Sequence, residues 1–365
     1  MKKTRLLKTL FTGAAVIAMV PAGYAAATYV VTDVTPEGAL GAEIYGMANG
    51  QLVGLVTSAS DRHSHAFLWR SGGMAVDLQP SSFRDSWAWD ASGDRQVGST
   101  VSGAWHALLW SGSSGSVIDL HPEDFLYSAA YGISGNRQVG SGYSLVWTNE
   151  HALLWSGSAD SAIDIHPGGF THSYAYRISG NRIVGYASGD DWMDHAILWT
   201  GKPGHFVDLN PPGFWLTQAF GIAGRHQGGL GYGPATGGYE NHALLWAGTA
   251  ESVVDLHPAG YVRSACWAIS EIYQVGGIIV VAPNGEEEGH AAVWSGSAAS
   301  FVDLHNLLPT NYESSVAAAV DADGVVAGSA YDRRSRRYHA IVWTPGNRAA
   351  DGMAELGSEE QRRAD

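Results

Sequence analysis

The sequence predicts an all-β fold: a seven-bladed β-propeller of four-stranded antiparallel blades, closed by the N-terminal strand. Three interleaved motifs predict it. The tetrad strand His-Ala-x-x-Trp recurs seven times, starting at His65, His106, His151, His195, His242, His290 and His339, at spacings of 41 to 49 residues. A Val-x-Asp-Leu-like motif also recurs seven times, on Asp33, Asp77, Asp119, Asp164, Asp208, Asp255 and Asp303. A third motif ends on Gly54, Gly98, Gly140, Gly185, Gly229, Gly276 and Gly328, and the order of the three is constant. A repeat of about 45 residues is the length of one propeller blade.

One repeat shows the elements in order. Residues 128–134 are small and apolar and read as the inner strand. Gly135-Asn136 is a two-residue turn, like Asn49-Gly50, Gly93-Asp94 and Gly180-Asn181 elsewhere. Such pairs accept positive φ and match the twist of a hairpin. The second strand begins at Arg137 and carries Gly140. A longer loop leads to the tetrad strand 151–155, and a polar turn precedes the outer strand 162–165.

The chain ends predict closure. The last repeat has its tetrad strand at 339–343 but no Val-x-Asp after it, whereas residues 29–34 supply an orphan outer strand at the start. Pairing the two closes the ring and removes two exposed sheet edges. On the inner strand, Ile44, Ala88, Ala130, Ala175, Ala219, Cys266 and Ala317 share one position, small in six repeats, as expected where strands converge on an axis. The next residue is aromatic in six repeats (Tyr45, Trp89, Tyr131, Tyr176, Phe220 and Trp267), and those rings are expected to fill the space between blades. Cys266 stands where other repeats have alanine and reads as a small core residue.

Residues 1–27 read as a secretory signal peptide. Lys2, Lys3, Arg5 and Lys8 precede an apolar run at 10–20, and Gly23-Tyr24-Ala25 or Ala25-Ala26-Ala27 offers small residues for cleavage. The run is too short to span a bilayer, and no other segment reads as a membrane span. The expectation is export to the periplasm or beyond, with a propeller over 28–345 and a polar, disordered tail over 346–365. The single cysteine allows no intramolecular disulfide. The net charge of −14 falls to about −18 once the signal is removed. So acidic a surface repels phosphate backbones, which excludes nucleic acid as an expected partner.

The tetrad His65-Ala-Phe-Leu-Trp69 and the opening segment 29–33 resemble the bacterial extracellular repeat proteins named for their His-Ala-Phe motif, the HAF family. The resemblance covers residues 29 to 344. It implies an exported repeat protein and carries no catalytic residues over. The chain departs from the family pattern where His-Pro follows Asp-Leu, and it shows no evident sorting anchor after the repeats.

The tetrad histidines recur in every blade, which marks them as architecture, because an active site needs local asymmetry. A second histidine set follows Asp-Leu: His121, His166, His257 and His305. On equivalent blade connections these four could ring the channel mouth and hold a metal; the plainer reading is that each imidazole caps a strand end. The segments between second and third strands vary most. They are expected to form long loops on one face, where propellers carry function. Their candidate ligand-binding residues are Trp105, Trp147, Trp192, Tyr239, Glu150, Asp191, Asp194 and Glu240, with Tyr143, Glu287 and Glu288 in the same segments. No phosphate loop, nucleophile elbow or His-Glu-x-x-His occurs, so no cofactor is expected. The expected function is a non-catalytic propeller binding a neutral glycan or a surface protein through that face. The alternatives are a carbohydrate-active lyase or hydrolase using the same face, and a structural envelope protein.

Overall fold

The structure is a computed structural model that describes residues 28–346 apart from 71–74, 147–148, 190–192 and 203. The expected signal peptide, the tail beyond Gly346, and the candidates Trp147, Asp191 and Trp192 lie outside the described residues. Blade 1 comprises β2 (Gly41–Ala48), β3 (Gln51–Thr57), β4 (Ser64–Trp69) and β5 (Ala75–Asp77), after β1 (Tyr29–Asp33). Blade 2 comprises β6 (Asp85–Ser92), β7 (Arg95–Ser102), β8 (Ala104–Trp110) and β9 (Ile118–Asp119). Blade 3 is β10 (Phe125–Ser134), β11 (Arg137–Ser144), β12 (Glu150–Trp155) and β13 (Ile163–Asp164). Blade 4 is β14 (His172–Ser179), β15 (Arg182–Ser188), β16 (Asp194–Trp199) and β17 (Phe206–Asp208). Blade 5 is β18 (Leu216–Ala223), β19 (His226–Gly233), β20 (Gly238–Trp246) and β21 (Val254–Asp255). Blade 6 is β22 (Arg263–Ile269), β23 (Gln274–Val281), β24 (Glu287–Trp294) and β25 (Val302–Asp303). Blade 7 takes β26 (Tyr312–Val320), β27 (Val326–Asp332) and β28 (Arg337–Pro345) from the end of the chain and β1 from its start, as predicted. The β1–β28 register runs from Tyr29 opposite Pro345 to Asp33 opposite Ile341.

The core is divided among the blade interfaces. Seven apolar clusters, one per interface, each join residues of two neighbouring blades. The tetrad tryptophans Trp69, Trp110, Trp155, Trp199, Trp246, Trp294 and Trp343 are the largest fully buried side chains. Three of them also tie neighbouring blades by a hydrogen bond: the indole N–H of Trp69, Trp199 and Trp343 donates to the carbonyl of Val34, Ile165 and Leu304 at 2.9, 2.7 and 3.1 Å.

Every inner strand carries a β-bulge at one equivalent place, between Ile44 and Gly46 in blade 1 and between Ala175 and Arg177 in blade 4, for example. The extra residue of each bulge is Tyr45, Trp89, Tyr131, Tyr176, Phe220, Trp267 or, in blade 7, Ala318. A bulge re-aims its residue, so the rings meet from blade to blade around the axis in tilted and edge-on contacts. Successive centroids are 4.6, 6.4, 5.2, 5.2 and 4.8 Å apart. The bulge also explains the third sequence motif. Gly54, Gly98, Gly140, Gly185, Gly229, Gly276 and Gly328 sit opposite the bulges, where a Cβ would run into the carbonyl oxygen two residues before the extra residue.

The second and third strands are longer than the sequence suggested. Trp105, Tyr143, Glu150, Asp194, Tyr239, Glu240, Glu287 and Glu288, expected on loops, lie within strands. The ladder continues past the tetrad histidine, pairing Val101 with Trp105, Tyr143 with Glu150 and Ser188 with Asp194. Pairing satisfies backbone groups that loops would leave to water.

Candidate functional site

The repeated polar residues form one network per blade. Each tetrad histidine places Nδ1 at 2.7–2.9 Å from the Oδ2 of the repeated aspartate. The other oxygen of each aspartate accepts the backbone N–H two residues on, at 2.7–2.9 Å. In six blades the side chain at that position reaches a serine or threonine of the next inner strand, whose hydroxyl accepts the N–H of the tetrad alanine; in blade 7 Thr35 Oγ1 accepts it directly.

His121, His166, His257 and His305 occupy that position in their networks. Nδ1 of each lies 2.8–2.9 Å from Ser128, Ser173, Ser264 or Ser315 Oγ respectively. His121 and His166 also donate Nε2–H to the carbonyls of Phe125 and Phe170, at 3.1 and 3.0 Å. Each of the four rings stacks on its tetrad partner with centroids 3.9–4.0 Å apart. The structure thus sets them at four separate blade boundaries as strand-end caps. Among the described residues, no three His, Cys, Asp or Glu side chains come together as a metal site.

The face bearing the blade connections and the β-hairpins between second and third strands holds the other candidates. Trp105 is half exposed and stacks on Trp87, with centroids 5.0 Å apart and planes at 20°. Tyr239 is 76% exposed and leans on Trp215 at 5.0 Å, with Tyr232 at 6.0 Å. Glu240 lies 3.5 Å from the Arg263 guanidinium, which also pairs with Glu287. Glu150 and Asp194 lie together in a cleft of about 450 Å³ between blades 3 and 4. Tyr127, Tyr143, Tyr174, Tyr186, His172 and Ser188 complete its lining.

Strand periodicity builds this cleft. Tyr127 and Tyr174 sit on inner strands, Tyr143 and Tyr186 on second strands, and the two acids open the third strands β12 and β16. Tyr127 stacks on Tyr143 with centroids 5.4 Å apart, and Tyr174 faces Tyr186 at 4.9 Å. Glu150 accepts the Tyr174 hydroxyl, and Asp194 accepts Gln218 Nε2 at 2.5 Å. Burial raises the Asp194 carboxyl above the ordinary carboxylate range, against the lowering effect of its hydrogen bonds from Gln218 and Ser188. Burial, followed by the charge of Glu150, pushes the Tyr127 hydroxyl up to about 12. Tyr174 and Tyr186 are raised as well, with burial as the largest cause. The hydroxyls therefore stay protonated at neutral pH, as donors beside carboxylate acceptors. Sequence reading singled out Tyr143, Glu150 and Asp194 and missed Tyr127, Tyr174, Tyr186 and Trp87. The available signal was the aromatic residue just before the small inner-strand position in blades 2 and 4, where the other blades carry Glu43, Ala129, Gln218, Ala265 and Val316.

No protein family and no curated protein matches the chain in sequence. Solved structures match it in fold. An oligogalacturonate lyase in complex with manganese superposes with a TM-score of 0.59 at 10% identity, over 91% of this chain and 96% of the other. The β-propeller domain of the Trilobed protease from Pyrococcus furiosus, described as having an open velcro topology, gives a TM-score of 0.56 at 9% identity over 84% and 94% of the two chains. The oligogalacturonate lyase of Vibrio parahaemolyticus gives a TM-score of 0.54 at 10% identity over 92% and 98%. At such identities the likeness is one of fold: this chain is a seven-bladed β-propeller structurally related to lyase and peptidase propellers, with a first strand that closes its last blade.

Proposed function

We propose that the chain is an exported propeller of the HAF-repeat kind that binds a neutral glycan, without catalysis, through the face bearing the tyrosine cleft. The observation that carries this reading is the cleft between blades 3 and 4, where four tyrosines and two carboxylates line about 450 Å³. Pockets of about 300–1,000 Å³ with aromatic walls and a few placed polar groups suit small ligands. Tyrosine rings offer flat apolar area to the C–H faces of a sugar with little side-chain entropy to lose. Glu150 and Asp194 accept hydrogen bonds from hydroxyls, and the acid excess of the chain disfavours anionic polymers. The test is an array of neutral and anionic oligosaccharides probed with the purified protein. Neutral glycans should bind, and Tyr143→Ala should weaken the best of them at least tenfold without loss of fold. Retention of anionic glycans alone, or indifference of the hit to Tyr143→Ala, removes the reading.

A second reading has one observation in its favour. The raised carboxyl of Asp194 shares the cleft with a second carboxyl group, Glu150, and a pair of carboxyl groups, one of them with a raised pKa, is what glycosidases use as acid and base. In that case the bound oligosaccharide is cleaved on prolonged incubation and Asp194→Asn stops the cleavage. Recovery of intact ligand from the native protein retains the binding reading.

A further inference from the structure

The propeller axis holds two ionisable side chains that the repeat does not call for. At the position after the bulged residue, five blades carry Gly46, Gly132, Gly221, Ala268 and Ala319. At Gly46 and Gly132 the reason is steric. A Cβ at Gly46 would stand 2.7 Å from the Trp89 carbonyl oxygen, and one at Gly132 would stand 2.7 Å from that of Tyr176. Blades 2 and 4 carry Asp90 and Arg177 instead, and their side chains are only 14% and 22% exposed. Arg177 Nη1 donates to the carbonyls of Tyr131 and Tyr176, and Nη2 donates to those of Tyr45 and Trp89 at 3.4 and 3.3 Å. Asp90 Oδ2 accepts the Ile133 N–H at 3.0 Å and lies 3.9 Å from Arg177 Nε. All four carbonyls belong to bulged residues, from four consecutive blades. On the turn side of them lies a cavity of about 180 Å³ that takes in all seven inner strands, with Arg177 and Asp90 in its lining.

A bulge leaves its extra residue outside the ladder, so its carbonyl is free for another partner. Converging carbonyl dipoles replace the hydration shell of a cation. A planar guanidinium with five donors is suited to acceptors arranged around it, and no apolar side chain could satisfy them. Burying a charge costs solvation unless such partners are present.

We infer that the bulge carbonyls of Tyr45, Trp89, Tyr131 and Tyr176 form a cation-binding crown on the axis, selective for a guanidinium-type cation, with Arg177 as its tethered occupant. Arg177 is then the bolt of the ring. It ties blade 4 to three others and stops the channel, so that a ligand on the cleft-bearing face stays on that face. This inference is independent of what that face binds.

Chemical rescue tests it. Arg177→Ala should lower the melting temperature by about 5–10 °C, as expected when a buried charge pair loses one partner. Guanidinium chloride at about 10 mM, far below denaturing concentrations, should restore about half of that loss or more, since a cation that binds only the folded state stabilises it by mass action. Urea at the same concentration, isosteric and neutral, should restore none of it. Arg177→Met, which fills the crown, should melt lower than the native protein and show no guanidinium effect. If Arg177→Ala does not fold on expression, the readout is its refolding yield with and without guanidinium, and a higher yield with it is expected. Native-like melting of Arg177→Ala, equal rescue by urea, or no rescue by guanidinium overturns the inference.

Discussion

Asp33 Oδ2 lies 2.7 Å from His339 Nδ1, although 306 residues separate the two. In the other six blades the same contact spans only 12 or 13 residues. One local module, the tetrad histidine against its aspartate, thus also serves as the clasp between the two ends of the ring. Asp33 additionally accepts the Thr35 N–H at 2.9 Å, and Thr35 Oγ1 accepts the Ala340 N–H at 3.0 Å.

The clasp predicts a measurable coupling. Asp33→Ala leaves His339 and the Thr35 N–H without their acceptor. Since the Asp33 side chain is 37% exposed, water replaces part of what is lost, and the expected cost is about 1–2 kcal/mol. His339→Ala should cost a similar amount, and the double variant less than the sum of the singles, because both remove one contact. Denaturant unfolding of the four proteins gives the coupling energy; strict additivity would show that the contact contributes nothing to closure.

The bulge predicts which glycines are indispensable. A Cβ at Gly185 would overlap the Tyr174 carbonyl oxygen, whereas one at Gly115 meets nothing within 4 Å. Gly185→Ala should destabilise by about 3 kcal/mol or prevent folding, through forced backbone shifts in the ladder. Gly115→Ala should melt like the native protein. Equal melting of both variants would remove the steric account of the third motif.

The stacked histidines predict acid sensitivity. Burial, then the charge of the tetrad partner, lowers the folded-state pKa of His121, His166, His257 and His305, the last to about 4. A histidine held neutral in the fold but free to protonate when unfolded stabilises the fold at neutral pH. That stability is lost as pH falls from about 6.5 through the folded-state values. His65 and His339 are raised: burial opposes the shift in His65, and the Asp33 hydrogen bond leads it in His339. Their contribution is full below about 6.5 and is lost as pH rises through their folded-state values. Melting temperature should therefore fall between pH 6.5 and 4. His305→Asn, which copies Asn210 on the connection from blade 4 to blade 5, should flatten that fall. Asp33, Asp164 and Asp255 have lowered values because hydrogen bonds from histidine and backbone outweigh the burial that opposes them, so they lose their contribution only below about pH 4.

The exposed aromatics predict a separation of stability from binding. Trp105→Ala and Tyr239→Ala remove rings that are 42% and 76% exposed, so each should change stability by no more than about 1 kcal/mol. If the ligand spans from blade 2 to blade 5, each substitution should also weaken glycan binding at least tenfold in isothermal titration. Unchanged affinity in both would confine the site to the cleft between blades 3 and 4.

Cys266 should be chemically silent in the fold. Burial raises its thiol to about 12, and the side chain is fully enclosed among apolar neighbours. Iodoacetamide at pH 8 should label it only in denaturant; rapid labelling of the native protein would mean that blade 6 opens readily.

The blade count and the closing strand were legible in the sequence because each depends on motif order alone. Seven tetrads set seven blades, and the orphan Asp33 strand could pair only with the vacancy beside His339. The small inner-strand residues and the buried tryptophans followed from strand alternation. The alternation is interrupted one residue later. A bulge shifts the phase of every side chain after it; the rings of Tyr45 through Trp267, expected between blades, do meet from one blade to the next, but the bulge that aims them is not visible in residue spacing. The acids Glu150 and Asp194 were recognisable as candidates one by one. Their meeting in a single cleft, with Tyr127 and Tyr174, depends on the angle between neighbouring blades, which no residue spacing encodes. Arg177 and Asp90 stood out in the sequence only as departures from Gly and Ala. Tertiary structure alone decided that they meet, because closing a ring converts equal positions in distant repeats into neighbours across one axis.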